Sequence, residues 1–87
     1  MTYELSFTTR ARNDAKKIAR SGLKPHATRL LEIIKVNPYS HNPPYEKLVG
    51  DLSGCYSRRI NLQHRLVNEV HESDKIVRVL AMWSHYE

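Results

Sequence analysis

The sequence is poor in the residues that form disulfides, metal centres and membrane spans. It has one cysteine, Cys55, among 87 residues, which excludes an internal disulfide and is typical of a reducing cytosol. Its five histidines do not combine with that cysteine in the spacing of a metal ligand set. No apolar run approaches the roughly 18 residues of a membrane span, and the N-terminal segment has no signal-peptide core. We therefore expect a cytoplasmic protein that uses no metal, no cofactor and no membrane.

Glycine is also scarce, at three residues, and none belongs to a Gly-rich phosphate loop, so nucleoside triphosphate hydrolysis is unsupported. The chain shows no internal repeat and no low-complexity tract. Its length predicts one domain over residues 1–87 with a modest core, which a partner chain or a homodimer would help to stabilise.

Positive charge is what the chain has in excess, and the excess is uneven. The net charge is +5, with eight Lys and Arg against three acids in residues 1–36 and six against six in residues 37–87. A basic surface favours a polyanion such as nucleic acid or an acidic protein. A merely solubilising surface explains the charge about as well.

The N-terminal half has the pattern of a strand followed by two helices. Residues 3–7 alternate apolar and polar side chains, as in a half-buried strand. Either residue of the pair Thr8-Thr9 can cap a first helix, which ends near Gly22. Pro25 suits the first turn of a second helix, which stops at Asn37.

The C-terminal half begins with a loop and continues as strands. Residues 38–45 contain three prolines and are predicted to be an extended loop that delivers Glu46. Strands follow at about residues 55–60, 64–70 and 75–83, and the last, apolar on both faces apart from Arg78, is predicted to be central and covered on both sides. The whole pattern is β-α-α-β-β-β. It predicts an α+β fold in which a two-helix hairpin packs on one face of a small, mainly antiparallel sheet.

Several side chains in this half can act together on RNA. RNA carries its own nucleophile, the 2′-hydroxyl, so cleavage needs a base, an acid and fixed positive charge. Glu46 is a candidate base, and His85 is a candidate acid because histidine titrates near pH ~6.5. Arg59 and Arg65 are candidates for gripping phosphate oxygens with a planar fork.

Strand parity tests this arrangement. If Arg59 pairs with Arg65 across a hairpin, Ile60 faces His64 and residues 61–63 form the loop. Arg58 and His64 then point to the other face, where Arg58 has a structural or RNA-contact role and His64 a structural one.

Taken singly, the candidates have plainer interpretations. The acid can be a solvated loop residue, the arginines outward strand residues or ion-pair partners, and the terminal histidine and aromatics frayed or rim residues. Only their conjunction in this order favours a catalytic site.

The order of these residues resembles a known family. Residues 52–54 (Leu-Ser-Gly), 56–60 (Tyr-Ser-Arg-Arg-Ile), 64–67 (His-Arg-Leu-Val) and the pair His85-Tyr86 closely resemble the Txe/YoeB branch of the RelE superfamily, the toxins of bacterial toxin–antitoxin pairs. The resemblance spans about the whole chain, since length and element order also agree.

The resemblance implies a function and a set of roles. It implies ribosome-dependent, metal-independent cleavage of mRNA by attack of the 2′-hydroxyl on the neighbouring phosphate. It also implies inhibition by a cognate antitoxin of the YefM/Phd type, with DNA bound only indirectly through that partner. Matched by position, Glu46 is the general base, Arg59 and Arg65 bind phosphate, His85 is the general acid and Tyr86 is the adjacent aromatic.

Two positions depart from the family pattern. Where the family often has a second basic residue after the glutamate, this sequence has Val49, and Lys47 could substitute only if the loop geometry permits. Members commonly stop at the His-Tyr pair, whereas Glu87 follows here, and its carboxylate could raise the His85 pKa.

The N-terminal surplus of charge predicts a second contact. The first helix has a basic face that we expect, together with nearby basic residues, to lie along ribosomal RNA. The face carries Arg10, Lys16, Lys17 and Arg20, and Lys24, Arg29 and Lys35 lie nearby. Two rival functions stay open: a non-catalytic module that binds RNA or the ribosome, and a subunit whose output is DNA binding as co-repressor with an antitoxin.

Overall fold

Residues 2–83 are described by the structure, a computed structural model, and they form one mixed sheet and two helices. The elements are β1 (Glu4–Phe7), α1 (Thr9–Arg20), α2 (Lys24–Val36), β2 (Glu46–Lys47), β3 (Cys55–Arg59), β4 (Arg65–His71) and β5 (Ile76–Ala81), with short 3-10 turns at Gly50–Leu52 and Glu72–Asp74. The strand order is β1-β5-β4-β3-β2; β1 and β5 are parallel, and the other three pairs are antiparallel. Both helices pack on one face of the sheet, which confirms the predicted α+β class.

Helix α1 begins and ends at residues suited to those positions. Thr8 is the N-cap, and its Oγ1 accepts a hydrogen bond from Ala11 N at 3.0 Å. The same hydroxyl donates to Leu80 O at 2.9 Å, so the start of the helix is tied to the end of β5. Gly22, with φ +78°, follows the last turn because glycine adopts this left-handed conformation without a steric penalty.

The core lies between the helices and the sheet. Ile18 of α1 and Ile34 of α2 pack with Leu66, Val77 and Val79, and each of these side chains is at most 2% exposed. Burying a side chain of this kind contributes about 1.5–3 kcal/mol. The burial fixes the helix hairpin on one face and leaves the opposite face, called here the site face, to the alternate positions of each strand.

Strand β5 is central, between β1 and β4, as predicted. The prediction that both of its faces are covered is wrong for Arg78, which is exposed on the site face. A bulge also interrupts its alternation, since Asn68 pairs with Val79 whereas Val67 pairs with Ala81. Ala81 therefore joins the site face, and the strand ends before the predicted residue 83.

Strand β2 lies outside the sequence prediction. It has two residues, in which Glu46 pairs with Ser57 and Lys47 with Tyr56 on the edge of the sheet. Two residues are too few to show an alternating pattern. Neither helix within residues 2–83 is long and apolar enough to cross a membrane.

Candidate active site

The predicted base, Glu46, and both predicted phosphate-binding arginines share the site face. Glu46 lies opposite Ser57 across the β2–β3 pair, and Arg59 lies opposite Arg65 across the β3–β4 pair. Because cross-strand partners and residues two apart point the same way, all four side chains project from one face.

The hairpin register is the predicted one. Arg59 pairs with Arg65, and Ile60 N donates to His64 O at 2.9 Å, which leaves residues 61–63 as the loop. Asn61 closes this loop, because its Oδ1 accepts from His64 N at 2.7 Å. The register matters because a slip of one residue would send the two arginines to opposite faces.

Glu46 and Arg65 form an ion pair. Both terminal nitrogens of Arg65 donate to Oε1 of Glu46 at 3.1 Å, and Nη1 also donates to Ser57 Oγ at 3.3 Å. The Arg65 side chain is 16% exposed, whereas that of Glu46 is 67% exposed. The arginine is thus held in place by two strands, and the carboxylate side chain is largely exposed to solvent.

A groove of about 310 Å³ runs beside this ion pair. It is lined by Pro43, Pro44, Tyr45, Glu46, Ser57, Arg59 and Arg65. Ser57 lies at its base, 1% exposed, while Arg59 at its rim is exposed and has no ion-pair partner within residues 2–83. A small hydroxyl below long cationic side chains leaves room for an anion such as a phosphate.

Arg58 lies on the opposite face from Arg59 and is fully buried. Its Nη2 donates to Pro38 O at 3.0 Å and to Ser40 O at 2.8 Å, and its guanidinium lies 4.8 Å from the ring centre of Tyr45. These contacts anchor both ends of the proline-rich loop that leads into Glu46.

The predicted RNA contact by Arg58 does not fit this burial, and the structural alternative does. Burial lowers the pKa of its guanidinium, and its Nε and Nη1 have no hydrogen-bond acceptor among the described residues. The alternation of side chains along a strand was enough to predict that Arg58 and Arg59 lie on opposite faces of the sheet. The anchoring role could not be predicted, because the loop reads in sequence as extended and exposed.

The groove presents two guanidinium groups and one carboxylate. Within residues 2–83 there is no group of three or more His, Cys, Asp or Glu side chains that could hold a metal ion.

The sequence model of one protein family, the YoeB-like toxins of bacterial type II toxin–antitoxin systems, matches residues 7–86 of this chain. The chain belongs to this family.

Individual relatives agree with this membership. Toxin YoeB of Synechocystis sp. is 33% identical over 75 residues, which cover 86% of this chain and 78% of that protein. The YoeB/ParE toxin from Agrobacterium tumefaciens superposes with a TM-score of 0.87 at 28% identity, over 95% of this chain and 99% of that one. The YoeB–YefM complex from Staphylococcus aureus gives a TM-score of 0.81 at 29% identity, over 99% of this chain and 100% of that one.

The remaining basic residues of this YoeB-like toxin lie outside the groove. Lys47 is exposed but pairs with Tyr56, so it projects from the face opposite Glu46 and does not line the groove. The residues expected to contact ribosomal RNA are exposed on α1, on the helix side of the sheet; they are Lys16, Lys17 and Arg20.

The end of β5 brings the last part of the described chain toward the hairpin. His64 is 8% exposed, stacks on Trp83 at 4.0 Å between ring centres, and its Nδ1 contacts Trp83 O. This packing fits the structural role predicted for His64. His85 and Tyr86 lie outside the described residues, so the toxin's acid and adjacent aromatic stay predictions.

The start of the loop is held by a second polar cluster. The hydroxyls of Tyr3 and Tyr39 each donate to Glu72 Oε1 at 2.8 Å, and Lys75 pairs with the other carboxylate oxygen. Lys75, followed by Tyr39 and Tyr3, lowers the pKa of Glu72 to about 2, and burial raises the pKa of Tyr39. The cluster ties the loop to the residue before β1 and to the β4–β5 turn.

Proposed function

We propose that this toxin is an mRNA endoribonuclease that acts with the ribosome. The observation that carries the proposal is the Glu46–Arg65 pair, held in a groove with Arg59, which has no ion-pair partner within residues 2–83. A carboxylate fixed beside two guanidinium groups can take a proton next to a bound phosphate. Dependence on the ribosome follows from the family resemblance.

The reaction is an internal transfer at phosphorus. Glu46 takes the proton of the 2′-hydroxyl, and the 2′-oxygen forms a bond to the adjacent phosphorus. Arg59 and Arg65 hold the non-bridging oxygens while charge builds on them. The bond from phosphorus to the 5′-oxygen breaks, and His85 gives that oxygen a proton. The products are a 2′,3′-cyclic phosphate and a 5′-hydroxyl, with Tyr86 beside the leaving group.

The experiment that tests the activity removes the base and the acid together. We expect Glu46→Ala combined with His85→Ala to abolish growth arrest and mRNA cleavage, with RNA 5′-ends mapped after brief expression. Glu4→Ala is the matched control, since Glu4 is an exposed carboxylate of the same sheet outside the groove. A double variant that still cuts mRNA would falsify the assignment of these residues. A wild-type chain that binds ribosomes and never cuts would favour the non-catalytic module.

The toxin's partners are proposed from its relatives. The Staphylococcus aureus YoeB is found both with YefM and as a dimer. We expect a cognate acidic antitoxin of the YefM/Phd type in the same cytoplasm, and contact with DNA only through it. Co-purification with the product of the neighbouring reading frame tests this, and a DNA shift assay with and without that product tests the co-repressor role. Sedimentation of the free toxin tests the homodimer.

The exposed basic face of α1 is proposed to lie along ribosomal RNA. Reversing the charges of Lys16, Lys17 and Arg20 together should weaken ribosome binding at low salt while leaving the fold intact. Unchanged ribosome binding, with an unchanged melting temperature, contradicts this contact.

A further inference from the structure

A second cleft lies directly beside the groove. Its volume is about 240 Å³, and it is enclosed by α2, the proline-rich loop and the end of β3. It shares Arg59 and Pro43 with the groove. A strand of RNA that leaves the groove past Arg59 therefore enters this cleft without crossing another part of the surface.

The lining of the cleft has the chemistry of a nucleotide site. Arg29 of α2 and Arg59 both line it, and neither forms an ion pair within residues 2–83, although Glu32 lies one turn after Arg29. No carboxylate lines the cleft among the described residues. Two guanidinium groups that form no ion pair among the described residues can attract a phosphate to a cleft of this size.

The rest of the lining suits a base. Pro43 and Ile33 give flat or aliphatic surfaces against which a base ring can pack. His26 and Asn42 add side chains that donate and accept hydrogen bonds at the rim. Single-stranded RNA is recognised in this way, by stacking together with hydrogen bonds to unpaired base edges.

We infer that this cleft binds the nucleotide next to the scissile phosphate, with Arg29 on its phosphate and the base against Pro43 and Ile33. The inference rests on the proposed function for the identity of its ligand. Arg59 then has two neighbours on the RNA, the scissile phosphate in the groove and the next nucleotide in the cleft. His26 and Asn42 are the side chains that would read the base.

The test measures binding without cleavage. The probe is an RNA hexanucleotide with a single 2′-deoxy sugar at the scissile position, which removes the nucleophile. Its affinity for the whole toxin is measured by fluorescence anisotropy over a range of salt concentrations. We expect Arg29→Ala to weaken binding about fivefold to tenfold and to reduce the salt slope by about 0.7, the value for one phosphate contact on a single strand.

Arg12→Ala is the matched control, since Arg12 is an exposed arginine of α1 that lines neither the groove nor the cleft. It should stay within about twofold of the wild type, and melting curves check that both variants fold. Probes shortened from the 5′ or the 3′ side locate the site, because the effect of Arg29→Ala should vanish when one particular side is trimmed.

The outcomes separate this inference from the proposed activity. If Arg29→Ala binds every probe with wild-type affinity and slope, the cleft is not a nucleotide site, whether or not the toxin cleaves mRNA. If binding depends on Arg29 but the all-ribose RNA is never cleaved on ribosomes, the cleft stands and the endoribonuclease proposal fails.

Discussion

The two faces of the sheet use the same residue type for opposite purposes. On the helix side, Arg58 is fully buried and donates to backbone carbonyls of the proline-rich loop. One position later, Arg59 is exposed on the site face at the rim of the groove. Charge by itself therefore does not distinguish a structural arginine from a candidate phosphate-binding one in this fold. The two differ in the face of the sheet to which the strand directs the side chain.

The faces also differ in what holds them together. The helix side is stabilised by apolar burial, centred on Leu66, Val77 and Val79. The site face has small buried side chains such as Ser57 and Ala81 at its base, with longer charged ones around them. Changes on the first face should therefore alter stability, and changes on the second should alter activity.

The largest expected effect is on the stability of the helix side. Leu66→Ala should lower the free energy of unfolding by about 2–5 kcal/mol, because it leaves a cavity in a fully buried site. Arg78→Ala, an exposed change on the neighbouring strand, should stay within about 0.5 kcal/mol. Urea unfolding followed by circular dichroism measures both. Equal losses of unfolding free energy in the two variants would contradict the proposed difference between the faces.

The two adjacent arginines give the sharpest version of the comparison. Arg58→Ala should cost about 2–4 kcal/mol of stability, since two loop carbonyls lose a buried donor. Arg59→Ala should leave the melting temperature nearly unchanged and reduce cleavage about 100-fold or more. Thermal melts and single-turnover cleavage on ribosomes separate the two. A stable Arg58→Ala protein with full activity would show that the anchor is dispensable.

A smaller effect is expected when charge is kept and geometry is lost. Arg65→Lys retains a cation beside Glu46 but replaces the planar fork with a single ammonium group. Cleavage should fall about 10- to 100-fold while the protein remains folded. The rate is measured beside that of Arg65→Ala, which should be lower still. Identical rates for the two variants would mean that the fork itself contributes nothing.

The smallest expected effect concerns acid stability at the start of the loop. Folding lowers the pKa of Glu72 from 4.5 to about 2, so its contribution is fully present above about pH 4.5 and is lost as the pH falls toward 2. Glu72→Gln should remove that part of the pH dependence while leaving activity at neutral pH intact. Unfolding curves at several acid pH values test this. An unchanged acid transition would rule out the cluster as its source.

Much of this architecture was accessible from the sequence. The hairpin could be placed because a three-residue loop and strict alternation leave one register in which Arg59 and Arg65 share a face. The helix hairpin could be placed because Thr8, Gly22 and Pro25 are each suited to a helix end. These features depend on local chemistry, which a single sequence carries.

Other features depend on contacts between distant segments and could not be predicted. Strand β2 forms because Glu46 and Lys47 pair with residues of β3. It could not be predicted, because two residues are too few to show an alternating pattern. The anchor at Arg58 requires carbonyls of residues about twenty positions earlier, and no alternation marks them. The bulge opposite Val67 is likewise set by how β4 and β5 meet.

The parallel pairing of β1 with β5 has a consequence for folding during translation. Thr8 and Leu80, which are 72 positions apart, are joined by a hydrogen bond, and β5 is the one strand beside β1 in the described part of the chain. The ribosome makes the N-terminal segment first. This segment cannot pair in the sheet until its partner strand, β5, has emerged. The nascent polypeptide is therefore expected to lack a complete sheet until β5 has left the ribosome.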